Sequence, residues 1–98
     1  MTIEIKRNAD IATIAIAGRL DTTTAPLLDK TISEDIADVN NLILDIKDID
    51  YISSAGLRVL LSAQKKMQKI GSMKVLNVCP AVMEVFEMTG FADILVIE

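Results

Sequence analysis

Apolar and polar residues alternate at the start of the chain, where Ile3 and Ile5 stand among Thr2, Glu4 and Lys6. A period of two marks a strand with one buried face. Ile11, Thr13 and the run Ile14-Ala15-Ile16 predict a second strand that Gly18 ends. The polar Arg7-Asn8-Ala9-Asp10 between them predicts a hairpin turn. Asp21-Thr22-Thr23-Thr24 then offers several helix caps, and Pro26 suits a first turn, where a missing N–H costs little. Leu28, Ile32, Ile36 and Val39 recur at helical spacing, which predicts a helix from about Ala25 to Asp38.

The short apolar run Leu42-Ile43-Leu44-Asp45-Ile46 predicts a central strand covered on both faces. Asp48, Asp50 and Tyr51 read as a loop, and Ser53-Ser54 follow. Leu57, Leu60, Leu61 and Met67 form a helical stripe from which Arg58, Lys65, Lys66 and Lys69 face away, and Gly71 is a natural stop. Met73 to Val78 reads as a strand. Pro80 opens a third helix with an inner face of Val82, Val85 and Phe86, and Gly90 closes it. Ile94-Leu95-Val96-Ile97 reads as a last strand. The predicted order is β-β-α-β-α-β-α-β. That is an α/β fold with a mixed sheet, because helices joining successive strands imply parallel pairing with right-handed crossovers.

Composition narrows the function classes. The 98 residues suffice for one domain, expected over residues 1–98, with no linker or repeat. Aromatic residues make up only 3% of the chain, so aliphatic side chains and Met must fill the core. The net charge is −4, without a Lys/Arg cluster, which argues against nucleic acid and anionic membrane surfaces as partners. The chain contains no histidine, which removes the commonest general base and nearly every zinc site. With a single cysteine, Cys79, an internal disulfide is impossible, as suits a reducing cytoplasm. No signal peptide or membrane span is expected, and neither is a metal, a cofactor or a catalytic residue. No glycine-rich phosphate loop follows any strand, so a small nucleotide-binding enzyme is disfavoured.

The segment from Asp48 to Leu61 holds the candidate chemistry: an acidic stretch, two serines, a small pair and an amphipathic helix. A helix N-terminus presents unpaired N–H groups and partial positive charge, so a serine there can cap the helix or carry a phosphate. Both readings stand on the residues alone. A capping box is incomplete, since Leu57 occupies the position three after Ser54. Ala55 and Gly56 read as leaving the serine uncrowded for another protein's active site. Asp21 reads either as a turn or cap aspartate, or as a carboxylate beside Ser54 at the same end of the sheet. Asp48 and Asp50 read as solvated loop charges, and Cys79 as a small packing or capping residue beside Pro80.

The segment Ile52-Ser53-Ser54-Ala55-Gly56-Leu57-Arg58-Val59-Leu60-Leu61 resembles the signature of bacterial anti-sigma factor antagonists of the STAS family. Gly18-Arg19-Leu20-Asp21 resembles the Gly-x-Leu-Asp that precedes that family's first helix. Cys79-Pro80-Ala81-Val82 and Met88-Thr89-Gly90-Phe91 are similar to its stretches around the third helix. The resemblance runs along essentially the whole chain. It implies a single STAS domain that is a switch, not an enzyme. Ser54, with Ser53 as runner-up, would be phosphorylated by an anti-sigma factor kinase of the histidine-kinase-like ATPase fold. The unphosphorylated form would bind that kinase and free the sigma factor, and a phosphatase could reset Ser54. The implied partner surface is Asp21, Thr22, Ser53, Ser54, Ala55, Gly56, Leu57 and Arg58. Departures are Ser53 where many members have Asp, Ala55 where Ser is common, and Arg58 where Gly is common. The alternative is a STAS subunit of a lipid-transport ABC system or stress complex that needs no phosphorylation.

Overall fold

The computed structural model describes residues 1–36 and 38–98. The elements are β1 (Thr2–Asn8), β2 (Ile11–Leu20), α1 (Ala25–Lys30), β3 (Asn41–Ile52), α2 (Ser54–Ile70), β4 (Ser72–Leu76) and α3 (Pro80–Thr89). The sheet order is β1-β2-β3-β4. The opening hairpin is antiparallel, and β2/β3 and β3/β4 are parallel. The predicted single α/β domain with a mixed sheet is therefore the observed one.

One face of this sheet carries the core. Ala12, Ile14 and Ile16 on β2, Leu42, Leu44 and Ile46 on β3, and Met73 and Val75 on β4 are all buried. The helices cover them with Leu28, Leu57, Leu60, Met67, Val82 and Phe86. The other face stays open: Thr13, Ala15, Ile43 and Asp45 are half-buried, while Glu4, Lys6, Lys47 and Lys74 are exposed. β3 is thus covered on one face, not on both. The apolar run that suggested a doubly covered strand owes its continuity to Ile43 alone, and Asp45 already returns it to the alternation of a one-sided strand.

β3 also runs further than the sequence predicts. Asp48, Asp50 and Tyr51 belong to the strand and not to a loop. The reason is in the register with β2: Ala15 faces Asp45 but Ala17 faces Asp48, and Gly18 faces Ile49 but Arg19 faces Tyr51. β3 therefore carries an extra residue at each of these two steps, as in a β-bulge. After Ile46 its buried residues come every third position, at Ile49 and Ile52, and a period of three reads as neither strand nor helix.

The predicted helix from Ala25 to Asp38 is interrupted. α1 ends at Lys30 and continues as one π-helical stretch over Thr31–Asp35. Residue 37 of that prediction lies outside the described residues. Leu28, Ile32, Ile36 and Val39 are buried, so the apolar line was read correctly although the helix type changes beneath it. The strand predicted at Ile94–Ile97 shrinks to one parallel bridge between Ile97 and Val75. The N–H groups of Ile94 and Leu95 bond back to the carbonyl of Phe91, at 3.0 and 2.9 Å, so the chain is still coiled there. It extends only at Val96, whose carbonyl accepts the Val75 N–H at 2.8 Å.

Candidate functional site

β2 and β3 are parallel, so the chain leaves both at the same end of the sheet. Leu20 pairs with Ile52, and the Ser53 N–H donates to the Leu20 carbonyl at 2.9 Å. The turn into α1 and the start of α2 are thereby set side by side. Asp21 and Ser54 follow these two joined strand ends, which brings them to one end of the domain.

Asp21 is engaged by its own turn. Its Oδ1 accepts the N–H groups of Thr23 and Thr24, each at 3.0 Å, and the Thr24 hydroxyl at 3.1 Å. The Asp21 N–H in turn donates to Thr24 Oγ1 at 2.9 Å. These bonds close the turn before α1, as Asx motifs do. The Thr24 N–H is the main cause that holds the Asp21 carboxyl below its ordinary value, because that bond favours the charged form. Partial burial opposes it, and the Thr24 hydroxyl, the Thr23 N–H and the Arg19 charge add smaller downward pulls. Arg19 itself stacks on the Tyr51 ring at 4.1 Å from the centroid, across the strand pair.

The two serines differ in what surrounds them. Ser53 is the N-cap of α2, in extended backbone, and its Oγ accepts the Gly56 N–H at 3.3 Å. Ser54 is the first helical residue. It is exposed, and its hydroxyl makes no hydrogen bond among the described residues. Capping therefore falls to Ser53, and the free hydroxyl at the positive end of the helix is that of Ser54.

Gly56 and Leu57 were read from the sequence as part of the partner surface, yet both face the interior. A Cβ on Gly56 would lie 2.8 Å from Leu20 Cγ, 2.9 Å from Ile52 Cγ1 and 2.9 Å from the Leu20 carbonyl oxygen. The glycine is there to seat the helix start on the strand ends, and it does not open the surface. Leu57 is 8% exposed and belongs to the core. Ala55 is half-buried and Arg58 exposed.

Beside the serine, α1 and α2 enclose a shallow groove. Thr22, Ala25, Pro26 and Asp29 line one wall, and Ala55, Arg58, Val59 and Ser62 line the other. Thr22, Ala55 and Arg58 were expected at such a surface. Pro26, Asp29, Val59 and Ser62 were missed, although helical spacing carried the signal: 55, 58, 59 and 62 fall on one helical face. Cys79 is half-buried at the N-cap of α3, and its thiol donates to the Ile49 carbonyl at 3.3 Å. Among the described residues no three His, Cys, Asp or Glu side chains are grouped to hold a metal. No described helix is long and apolar enough to cross a membrane.

Known proteins share both the sequence pattern and the fold. An anti-sigma-B factor antagonist of Bacillus subtilis (strain 168) is 30% identical over 96 residues, covering 97% of this chain and 88% of that protein. The crystal structure of an anti-sigma factor antagonist from Mycobacterium paratuberculosis matches with a TM-score of 0.88 at 24% identity, covering 98% of this chain and 83% of that one. The antagonist SpoIIAA in its unphosphorylated form matches with a TM-score of 0.84 at 20% identity, covering 99% and 88% of the two chains. The phosphorylated form of Bacillus SpoIIAA matches at 0.77 and 19% identity, covering 99% and 91%. At these identities the solved structures speak for the fold alone. The family model for the STAS domain matches residues 2–98, and with the Bacillus relative it establishes that this chain belongs to the STAS domain family of anti-sigma factor antagonists.

Proposed function

We propose that this protein antagonises an anti-sigma factor and is switched by phosphorylation of Ser54. The unphosphorylated form binds an anti-sigma factor serine kinase of the histidine-kinase-like ATPase fold, and the sigma factor is released. The observation that carries this reading is the division of labour between Ser53, which caps α2, and Ser54, which is exposed and unbonded. In the step itself, the Ser54 oxygen forms a bond to the γ-phosphorus of ATP as the bond to ADP breaks. The hydroxyl proton passes to a base of the kinase. A phosphatase would restore the hydroxyl by attack of water, which releases inorganic phosphate. In this reading the chain acts in the cytoplasm.

The switch has a physical basis. A phosphate adds about 1.5–2 negative charges at pH 7. At the start of α2, N–H groups and the helix dipole tolerate that charge, so the fold survives. SpoIIAA keeps the shared fold in its phosphorylated form, which supports this step. At an interface the same charge must be desolvated or meet a like charge, so the penalty falls on the complex.

The test is incubation with ATP and an anti-sigma factor kinase, followed by tandem mass spectrometry. Phosphate is expected on Ser54. Ser54→Ala should take no phosphate and bind the kinase constitutively, while Ser54→Asp should bind at least about tenfold more weakly, a difference of roughly 1.4 kcal/mol. Ser53→Ala should still be phosphorylated, although loss of the cap costs about 1 kcal/mol of stability. Phosphate on Ser53 would overturn the assignment of the site, and phosphate on no serine would sink the switch and leave a STAS subunit that acts without it.

A further inference from the structure

We propose that Arg58 is the intramolecular counter-ion of a phosphate on Ser54, a positioning residue that draws the phosphate back onto α2. The inference deepens the switch proposed above and rests on it. Ser54 and Arg58 are four residues apart on one continuous helix, so they share a face, with Cβ atoms about 5–6 Å apart. Helical side chains lean toward the N-terminus, so the Arg58 stem covers the turn that holds Ser54. An anion placed four residues before a cation is also the favoured order of such a pair. A guanidinium can meet a phosphate with two parallel N–H donors, which a lysine cannot.

The cations at this end of the sheet are not equally free. Arg19 on β2 is stacked on Tyr51 of β3 and lies 3.9 Å from the Asp21 carboxylate. Arg58 is exposed and takes part in no ion pair among the described residues. Asp21 is bonded into its own turn, and Asp29 on α1 is the acidic residue that lines the same groove as Arg58. With Ser54 unmodified, the groove presents one cation and one anion. Once Arg58 turns to the phosphate, Asp29 is left as the groove's charge. One covalent event thus alters the serine and the adjoining groove together, and a partner that reads both surfaces loses two contacts.

The experiment installs phosphoserine at position 54 by codon expansion, so it needs no kinase. Phosphorus NMR then follows the second phosphate ionisation, near pH 6, in the parent background, in Arg58→Gln and in Arg58→Lys. The pKa should be lower in the parent than in Arg58→Gln by roughly 0.2–0.4, with Arg58→Lys between them. In 1 M salt, where the screening length falls to about 3 Å, that gap should shrink by at least half. Equal pKa values in parent and Arg58→Gln overturn the proposal, as does a gap that salt leaves unchanged. A helix destabilised by the substitution would not mimic the expected result, because circular dichroism of each variant is read at the same pH. A separate kinase assay on the unmodified protein divides the two claims. An Arg58-dependent pKa without kinase modification keeps the counter-ion and defeats the switch. Kinase modification with an Arg58-independent pKa does the reverse.

Discussion

Gly56 has no space for a methyl group, because Leu20 and Ile52 close on it from the two strand ends. Alanine is the better helix former by about 1 kcal/mol, so two effects compete at this position. The contacts at 2.8–2.9 Å include a backbone carbonyl and two buried core side chains, none of which can move aside cheaply. Sterics should win, and Gly56→Ala should lose about 1–3 kcal/mol in a urea titration. A stabilised Gly56→Ala would show that the helix start has slack. Asp21 makes a different kind of prediction. Its folded-state pKa lies below 3.8, so the charged form contributes stability that is present above that value and is lost as the pH falls through the lower folded value. Asp21→Asn keeps an oxygen for Thr23 and Thr24 but has no charge to lose. Its urea midpoint should fall less than the parent's between pH 6 and pH 3. Equal falls would mean that the turn bonds do not discriminate between the carboxylate and the acid.

Glycines at the two helix ends serve their elements for unrelated reasons. Gly71, after α2, has φ of 171°, extended backbone open to any residue. Its constraint is proximity, since a Cβ would sit 1.7 Å from the Asn40 carbonyl oxygen, which already accepts the Ser72 N–H at 2.9 Å. Gly90, after α3, has φ of 82° and nothing within 4 Å of a Cβ. Its constraint is conformational, as left-handed backbone costs other residues about 1–2 kcal/mol. Gly71→Ala should therefore cost about 3 kcal/mol or more, because β4 must separate from the β3 edge. Gly90→Ala should cost no more than about 2 kcal/mol. Thermal unfolding of the two variants distinguishes these causes, and the reverse ranking would contradict both. Sequence pattern marked both glycines as helix stops and could not tell them apart, because the neighbour that forbids a side chain at Gly71 is 31 residues away in the chain.

At the scale of the molecule, the C-terminal segment is held by Leu95 in the core, by Ile97 packed against it and bridged to Val75, and by the exposed Lys74–Glu98 ion pair at 3.2 Å. Leu95 is 5% exposed, and Val96 is 47% exposed. Leu95→Ala should cost about 2–4 kcal/mol by leaving a cavity, and Val96→Ala about 0.5 kcal/mol or less. Similar midpoints for the two in a denaturant series would mean that this segment is not docked. What the sequence determined by itself was whatever a local period can record. The strand starts, the stripe of α2, the α3 boundaries and the parallel crossovers follow from periods of two and 3.6, from caps and from the hand of the connections. The shared end of the sheet for Asp21 and Ser54 followed too, since it needs only parallel strands. Tertiary structure decided what depends on a partner strand or helix. The two bulges that draw Asp48 and Asp50 into β3 exist only against β2. The open sheet face, the inward turn of Gly56 and Leu57, and the groove with Asp29 require neighbours distant in the chain. Ser53 and Ser54 are the same residue side by side, and only the 3.3 Å bond to the Gly56 N–H separates the cap from the free hydroxyl. Hydrophobic periodicity is a property of one segment, whereas register, burial on the second face and capping geometry are properties of pairs.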